Sequence, residues 1–396
     1  FMKIFFIFDS TYPFYTGGIE TWVFNVCERL AGKHEITIFT VQNYRNDNSM
    51  GKFENINPEI QIIPVKNLNH VPGIKHLVHK HIALFNSNIT VHMMCREIKK
   101  HLSTEEAYYL IGLGTVFAAK TVRIIKRKYK NVKAIASCRS LHPEVLAEEY
   151  PGTGWIVRRM ESKNLKKMDA VWSNGLDTQE ALRRKGFDSI VIKNGVDFIR
   201  LDQEKNYDYG DMGLENEIII ATIGSVSKIK GYYEIIRAVR ILKERYKLTV
   251  HFVGIGNVNE YNRKKFETFA SKNRVAEQIH LIGEHRNVVS YAKGADIVVC
   301  TSGGSGYGMA ILESMTSRTP IVAWDTRGYR QLLVDGESAK LVKPWDEKAL
   351  ADGIYYVYTH REEIEDWGEH ANTRAKEFDW YIVIKEIEHA LKSLNE

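Results

Sequence analysis

The run Thr301-Ser302-Gly303-Gly304-Ser305-Gly306-Tyr307-Gly308-Met309-Ala310-Ile311-Leu312-Glu313 sets four glycines in six positions between an apolar stretch and a helical one. A turn without Cβ atoms lets a ligand lie close to the backbone. The free N–H groups at the start of the following helix suit a phosphate. Glu313, about one turn further on, offers a carboxylate to ribose or sugar hydroxyls. A second stretch, Gly224-Ser225-Val226-Ser227-Lys228-Ile229-Lys230-Gly231, places two ammonium groups beside glycines. Gly17-Gly18 forms a third glycine turn, and Arg139-Ser140-Leu141-His142-Pro143 is a loop with two cationic or proton-carrying side chains. Each run taken alone also suits a plain tight turn, and His142 before Pro143 also suits a residue that only shapes a loop.

Strands and helices in alternation must position these groups. Asp296–Cys300 reads as a buried strand before the glycine run, Ala310–Ser317 as a helix stopped by Pro320, and Pro320–Trp324 as the next strand. The same order begins the chain: a strand over Lys3–Asp9, the Gly17-Gly18 loop, and a helix over Glu20–Leu30 with Trp22, Val23, Val26, Cys27 and Leu30 at helical spacing. Further strands are expected at 35–41, 61–65, 107–112, 132–138, 170–173, 189–192, 217–226, 248–253 and 279–283, most of them followed by helices. Such alternation predicts two doubly wound, mostly parallel α/β sheets. In such sheets ligands lie at the carboxyl ends of the strands. Residues 202–216 are polar with almost no aliphatic residues and read as the connection between domains.

Composition narrows the class. A chain of 396 residues suits two domains, and 44% apolar with 26% charged residues suits an ordinary globular protein. No apolar run reaches the length that spans a bilayer, and no signal peptide is expected. Cys27, Cys95, Cys138 and Cys300 lack metal-site spacing, which points to a reduced, cytoplasmic setting. The net charge of +6 divides unevenly. Residues 1–200 hold 29 Lys and Arg against 19 Asp and Glu, and residues 201–396 hold 26 against 30. The basic first half suits an anionic partner, a peripheral anionic membrane face among them, or simply a solvated surface. Residues 74–102 mix His76, His79 and His81 with lysines and apolar residues. They read as one or two amphipathic helices, either closing the first sheet or touching a membrane.

The combination Gly17-Gly18, Asn194-Gly195-Val196-Asp197, Lys230-Gly231 and Gly306-Tyr307-Gly308 with Glu313 resembles the retaining glycosyltransferases of family 4, which have the GT-B fold. The resemblance covers nearly the whole chain, weakly over 40–110 and strongly over 217–345. It implies an acceptor-side Rossmann-like domain over 1–200, with the helix 380–396 packing back on it, and a nucleotide-sugar-binding Rossmann-like domain over 201–379. The two domains are expected to face a central cleft. The implied reaction moves a sugar from a UDP- or GDP-linked donor to a carbohydrate or lipid-linked hydroxyl with retention of anomeric configuration. The implied donor site comprises Gly17, Gly18, Gly224, Lys228, Lys230, Ser305, Gly306, Tyr307, Gly308, Met309, Ala310 and Glu313. His142 or Arg139 would lie near the reacting sugar, with Lys230 stabilising the leaving group. Two positions depart from the family pattern: Ser305 stands where a glutamate is usual, and Ser225 where an arginine is usual. No Asp-x-Asp motif appears, so neither a metal nor a cofactor is expected, and no nucleic-acid partner. A sugar-nucleotide epimerase of the same fold, a phosphorylase, and a non-catalytic nucleotide-sugar-binding subunit remain alternative readings.

Overall fold

The computed structural model describes residues 1–12, 18–42, 56–65, 83–139, 154–303 and 307–395. The chain forms two compact units, residues 1–193 with 383–396, and residues 194–382.

The first unit is built on β1 (Lys3–Tyr12), β2 (Glu35–Gln42), β3 (Gln61–Val65), β4 (Tyr108–Leu113), β5 (Val132–Cys138), β6 (Ala170–Ser173) and β7 (Ile190–Val191). They form a parallel sheet in the order β3-β2-β1-β4-β5-β6-β7. Ile4 to Phe8 are all buried, as a strand covered on both faces requires. Phe5 and Ile7 share one cluster with Val91, Met94, Cys95 and Ile98 of the helix Ala83–Ile98 and with Val122 and Ile125 of the helix Phe117–Lys126. The described part of the histidine-rich region is therefore a helix that closes the sheet. His76, His79 and His81 lie outside the described residues. At the chain end, Glu388 pairs with Lys33 and His34, and Lys133 donates to the Leu394 carbonyl.

The second unit holds β8 (Ile219–Ile223), β9 (His251–Ile255), β10 (Ile279–Gly283), β11 (Ile297–Cys300), β12 (Ile321–Trp324) and β13 (Lys340–Val342). They too are parallel, in the order β10-β9-β8-β11-β12-β13. The chain moves outward through β9 and β10, then restarts at β11 on the other side of β8. That reversal opens a crevice at the carboxyl ends of β8 and β11, the ligand position of doubly wound sheets.

One expectation needs correction. Residues 202–216 are not a free connection. Tyr207 stacks on Tyr291 at 4.0 Å, the Tyr209 hydroxyl donates to the Tyr291 carbonyl at 2.9 Å, and Leu214 is buried. Aromatic rings supply the burial that the missing aliphatic residues suggested was absent. The division between units falls instead at Lys193/Asn194. Beyond it, the Val196 N–H donates to the Phe378 carbonyl at 2.8 Å and the Trp380 N–H to the Val196 carbonyl at 3.1 Å. Late in the unit a helix runs over Glu347–Thr359, and a separate helix follows at Trp367–Ala375.

Candidate functional site

β8 ends at Ile223, and the chain turns on Gly224, whose φ is +131°. A Cβ on Gly256, in the turn after β9, would stand 2.2 Å from the Gly224 carbonyl oxygen. The two turns therefore touch through bare backbone, which sets Gly224 beneath the next segment. That segment is the short turn Lys228–Lys230, closed by Gly231 at φ +76°.

The lysine turn is tied to the end of β11. The Thr301 hydroxyl donates to the Lys230 carbonyl at 2.8 Å, and the Gly303 N–H donates to the Ile229 carbonyl at 2.8 Å. The Lys230 stem passes over Gly224, and its Nζ donates to Ser302 Oγ at 3.2 Å. The Ser302 N–H donates to the Tyr329 hydroxyl at 3.2 Å. Beside Lys230 lies a cavity of about 20 Å³, lined among others by Thr222, Cys300, Ser302, Gly308, Ala310 and Tyr329. That is room for about one water.

Electrostatics mark Lys230 as unusual. Burial holds its ammonium below the ordinary lysine range, and the Glu313 carboxylate offsets part of that cost. An anion delivered there would favour the charged form. Cys300, one strand end away, has its thiol pushed up to about 12 by burial, so it is no thiolate nucleophile at neutral pH.

Across the glycine run, Tyr307 is buried and meets Phe378 edge-on at 5.7 Å, while its carbonyl accepts from Asn194 Nδ2 at 2.6 Å. Its ring anchors the loop and leaves only backbone to a ligand. Gly308 caps the helix Met309–Met315 without a side-chain bond and is exposed. Met309, Ala310 and Glu313 are half-buried on that helix. Lys228 is exposed. Gly304, Ser305 and Gly306 lie outside the described residues, as do Gly17 and His142. The structure thus gathers Gly224, Lys230, Gly308 and Ala310 around the end of β11, with Glu313 close enough to act on the Lys230 charge.

In the first unit, Gly18 opens the helix Gly18–Leu30 and is exposed. Arg139 is buried. Its Nη1 donates to the Ile192 carbonyl at 2.8 Å, its guanidinium lies 4.0 Å over the Trp22 ring, and its own carbonyl accepts from Asn174. Trp22 Nε1 in turn donates to the Lys193 carbonyl at 3.2 Å. Arg139 is thus engaged in fixing the chain after β7.

Several site residues escaped the sequence reading. Thr301, Ser302 and Tyr329 hold the lysine turn and the loop through single hydroxyls, which no spacing reveals. Asn194 stood in a noted tetrapeptide, but its role in holding Tyr307 depends on a residue 113 positions away. Among the described residues, no group of three or more His, Cys, Asp or Glu side chains is placed to hold a metal.

Residues 211–374 match the family described as Glycosyl transferases group 1. An uncharacterized glycosyltransferase of Methanocaldococcus jannaschii is 24% identical over 400 residues, spanning all of this chain and 99% of the relative. The putative glycosyltransferase EpsD of Bacillus subtilis is 27% identical over 174 residues, 44% of this chain and 45% of EpsD. Among solved structures, HepE of Anabaena in complex with UDP superimposes with a TM-score of 0.76 at 17% identity, covering 99% of this chain and 100% of HepE. Fold and matches together define a glycosyltransferase of GT-B fold. The matched residues 211–374 fall within the second unit.

Proposed function

We propose that the protein is a retaining glycosyltransferase of the family 4 type, which takes a nucleoside diphosphate sugar in its second unit and passes the sugar to an acceptor hydroxyl. The observation that carries this reading is the half-buried Lys230, set over Gly224 and beside the start of the helix Met309–Met315, at the strand reversal between β8 and β11. UDP bound to HepE supports a diphosphate donor by analogy.

The transition state sets the demand on the site. The sugar becomes cationic while the departing diphosphate gains negative charge. Lys230 and the amides after Gly308 meet that charge. The Glu313 carboxylate accepts from ribose hydroxyls. Backbone groups of the glycine run hold the sugar. The neutral Ser305 in place of a glutamate alters the preference among donor sugars, and Ser225 in place of an arginine leaves Lys230 as the principal cation. The leaving group itself assists the incoming hydroxyl on one face of the sugar, without an enzyme nucleophile. A panel of UDP-, GDP- and ADP-sugars, with release of free nucleoside diphosphate as the readout, tests the reading. Binding without release or transfer under any acceptor would instead make the chain a non-catalytic nucleotide-sugar-binding subunit, and interconversion of free sugar nucleotides an epimerase.

No metal takes part in this reading, because the chain lacks an Asp-x-Asp pair to carry one. Turnover is therefore expected to be unchanged by EDTA. Loss of activity on chelation, restored by Mn²⁺ or Mg²⁺, would overturn the metal-free assignment.

The basic first unit takes the acceptor, which is anionic or lies at an anionic membrane face. Among the described residues, no helix is long and apolar enough to cross a membrane. Flotation with anionic vesicles should show binding that falls steeply between low and physiological salt, as exposed charges are screened beyond about 8–10 Å. Equal, salt-independent behaviour on neutral and anionic vesicles would favour a soluble acceptor.

A further inference from the structure

Trp345 stands at φ +61°, in the left-handed region that bulky side chains avoid. It is also 51% exposed, so burial alone does not explain why an indole is held there. Its ring lies 4.2 Å from that of the buried Trp324. The indole also meets Gly303, so closely that a Cβ there would stand 1.9 Å from its Cη2. Strain of this kind persists only where the surroundings fix it. Here the fixed feature is the junction between β11 and the glycine run.

We propose that Trp345 is a positioning residue for Lys230, acting through Gly303. The indole, backed by Trp324, presses on Gly303 and sets the direction of its N–H. That N–H donates to the carbonyl of Ile229, immediately before Lys230. The Thr301 hydroxyl fixes the Lys230 carbonyl from the same strand end, and Ser302 receives Nζ. Residues 301, 302 and 303 thus hold the lysine turn at three points, and the wedge stabilises the third. A displacement of about 1 Å at a charge-stabilising group costs on the order of 10²-fold in rate. The role in turnover rests on the donor-site reading above; the placement of Lys230 does not.

The test therefore reads Lys230 directly. Reductively ¹³C-methylated protein reports the titration of each lysine by NMR, with Lys230 assigned through Lys230→Arg. In the parent protein the Lys230 signal should titrate below the ordinary lysine range. Trp345→Gly, which the left-handed backbone accepts without strain, should move it toward that range as the turn loosens. Trp345→Phe should keep it near the parent position. Gly303→Ala should disturb it in the parent but add nothing in the Trp345→Gly background, where the indole that its Cβ would strike is gone. A Lys230 titration unchanged in Trp345→Gly, or additive effects of the two substitutions, would overturn the proposal. UDP and GDP affinities of the same variants keep the two readings apart. A parent protein that binds neither nucleotide contradicts the donor site, while the titration still decides the wedge.

Discussion

Replacing Lys230 with alanine is expected to lower turnover by about 10² to 10³ while the protein folds to normal yield. Lys230 is the one described cation whose ammonium lies against the end of β11, bonded to Ser302 and beside the cavity under Gly308. Burial already disfavours its charge, so removing the ammonium also removes a desolvation cost from the empty fold. The loss falls on the state in which the diphosphate departs. It should therefore appear in kcat more than in KM. Circular dichroism and thermal unfolding check that the fold is intact, and initial rates at saturating donor give the loss. Turnover close to that of the parent would move the diphosphate role to the exposed Lys228 or away from this turn.

Gly231→Ala is expected to disrupt both fold and site. The residue is at φ +76°, and a Cβ would lie 2.6 Å from the Thr301 hydroxyl and 2.9 Å from the Thr301 carbonyl oxygen. The left-handed backbone costs an L side chain about 1–2 kcal/mol. Overpacking against backbone adds about 1–3 kcal/mol. A combined loss of about 2–5 kcal/mol lowers the melting temperature of a unit of this size by about 4–20 °C. The same Cβ displaces the Thr301 hydroxyl from the Lys230 carbonyl, so the surviving folded protein should also bind nucleoside diphosphate more weakly. Differential scanning calorimetry against the parent gives the first effect, and titration with UDP or GDP the second. An unchanged melting temperature would mean that the turn and the strand end separate freely, and the stitched site described above would be wrong.

Much of this fold was legible because parallel strands buried on both faces must be written as apolar runs. Val132–Cys138 and Ala170–Ser173 match their expected ranges for that reason. The tyrosine-rich segment after Asp202 was misread because its burial comes from rings stacked on Tyr291. At the site, the glycines and Lys230 were legible by type and spacing. The contacts that hold them were not: Thr301 and Ser302 sit about 70 residues from the lysine turn and find it only once β8 and β11 are neighbours. Trp345 carried no signal at all, since an exposed tryptophan after a proline reads as an ordinary loop residue. Its meaning lies in a positive φ and in one glycine with no space for a side chain.

The most direct measurement is a crystal structure with a bound nucleoside diphosphate, taken from whichever of UDP, GDP or ADP raises the melting temperature most. The account predicts a diphosphate oxygen at about 3 Å from Lys230 Nζ, with the amides after Gly308 on the same diphosphate and the ribose hydroxyls on Glu313. A nucleotide bound elsewhere, with Lys230 still on Ser302 and Glu313 without ribose, would contradict it.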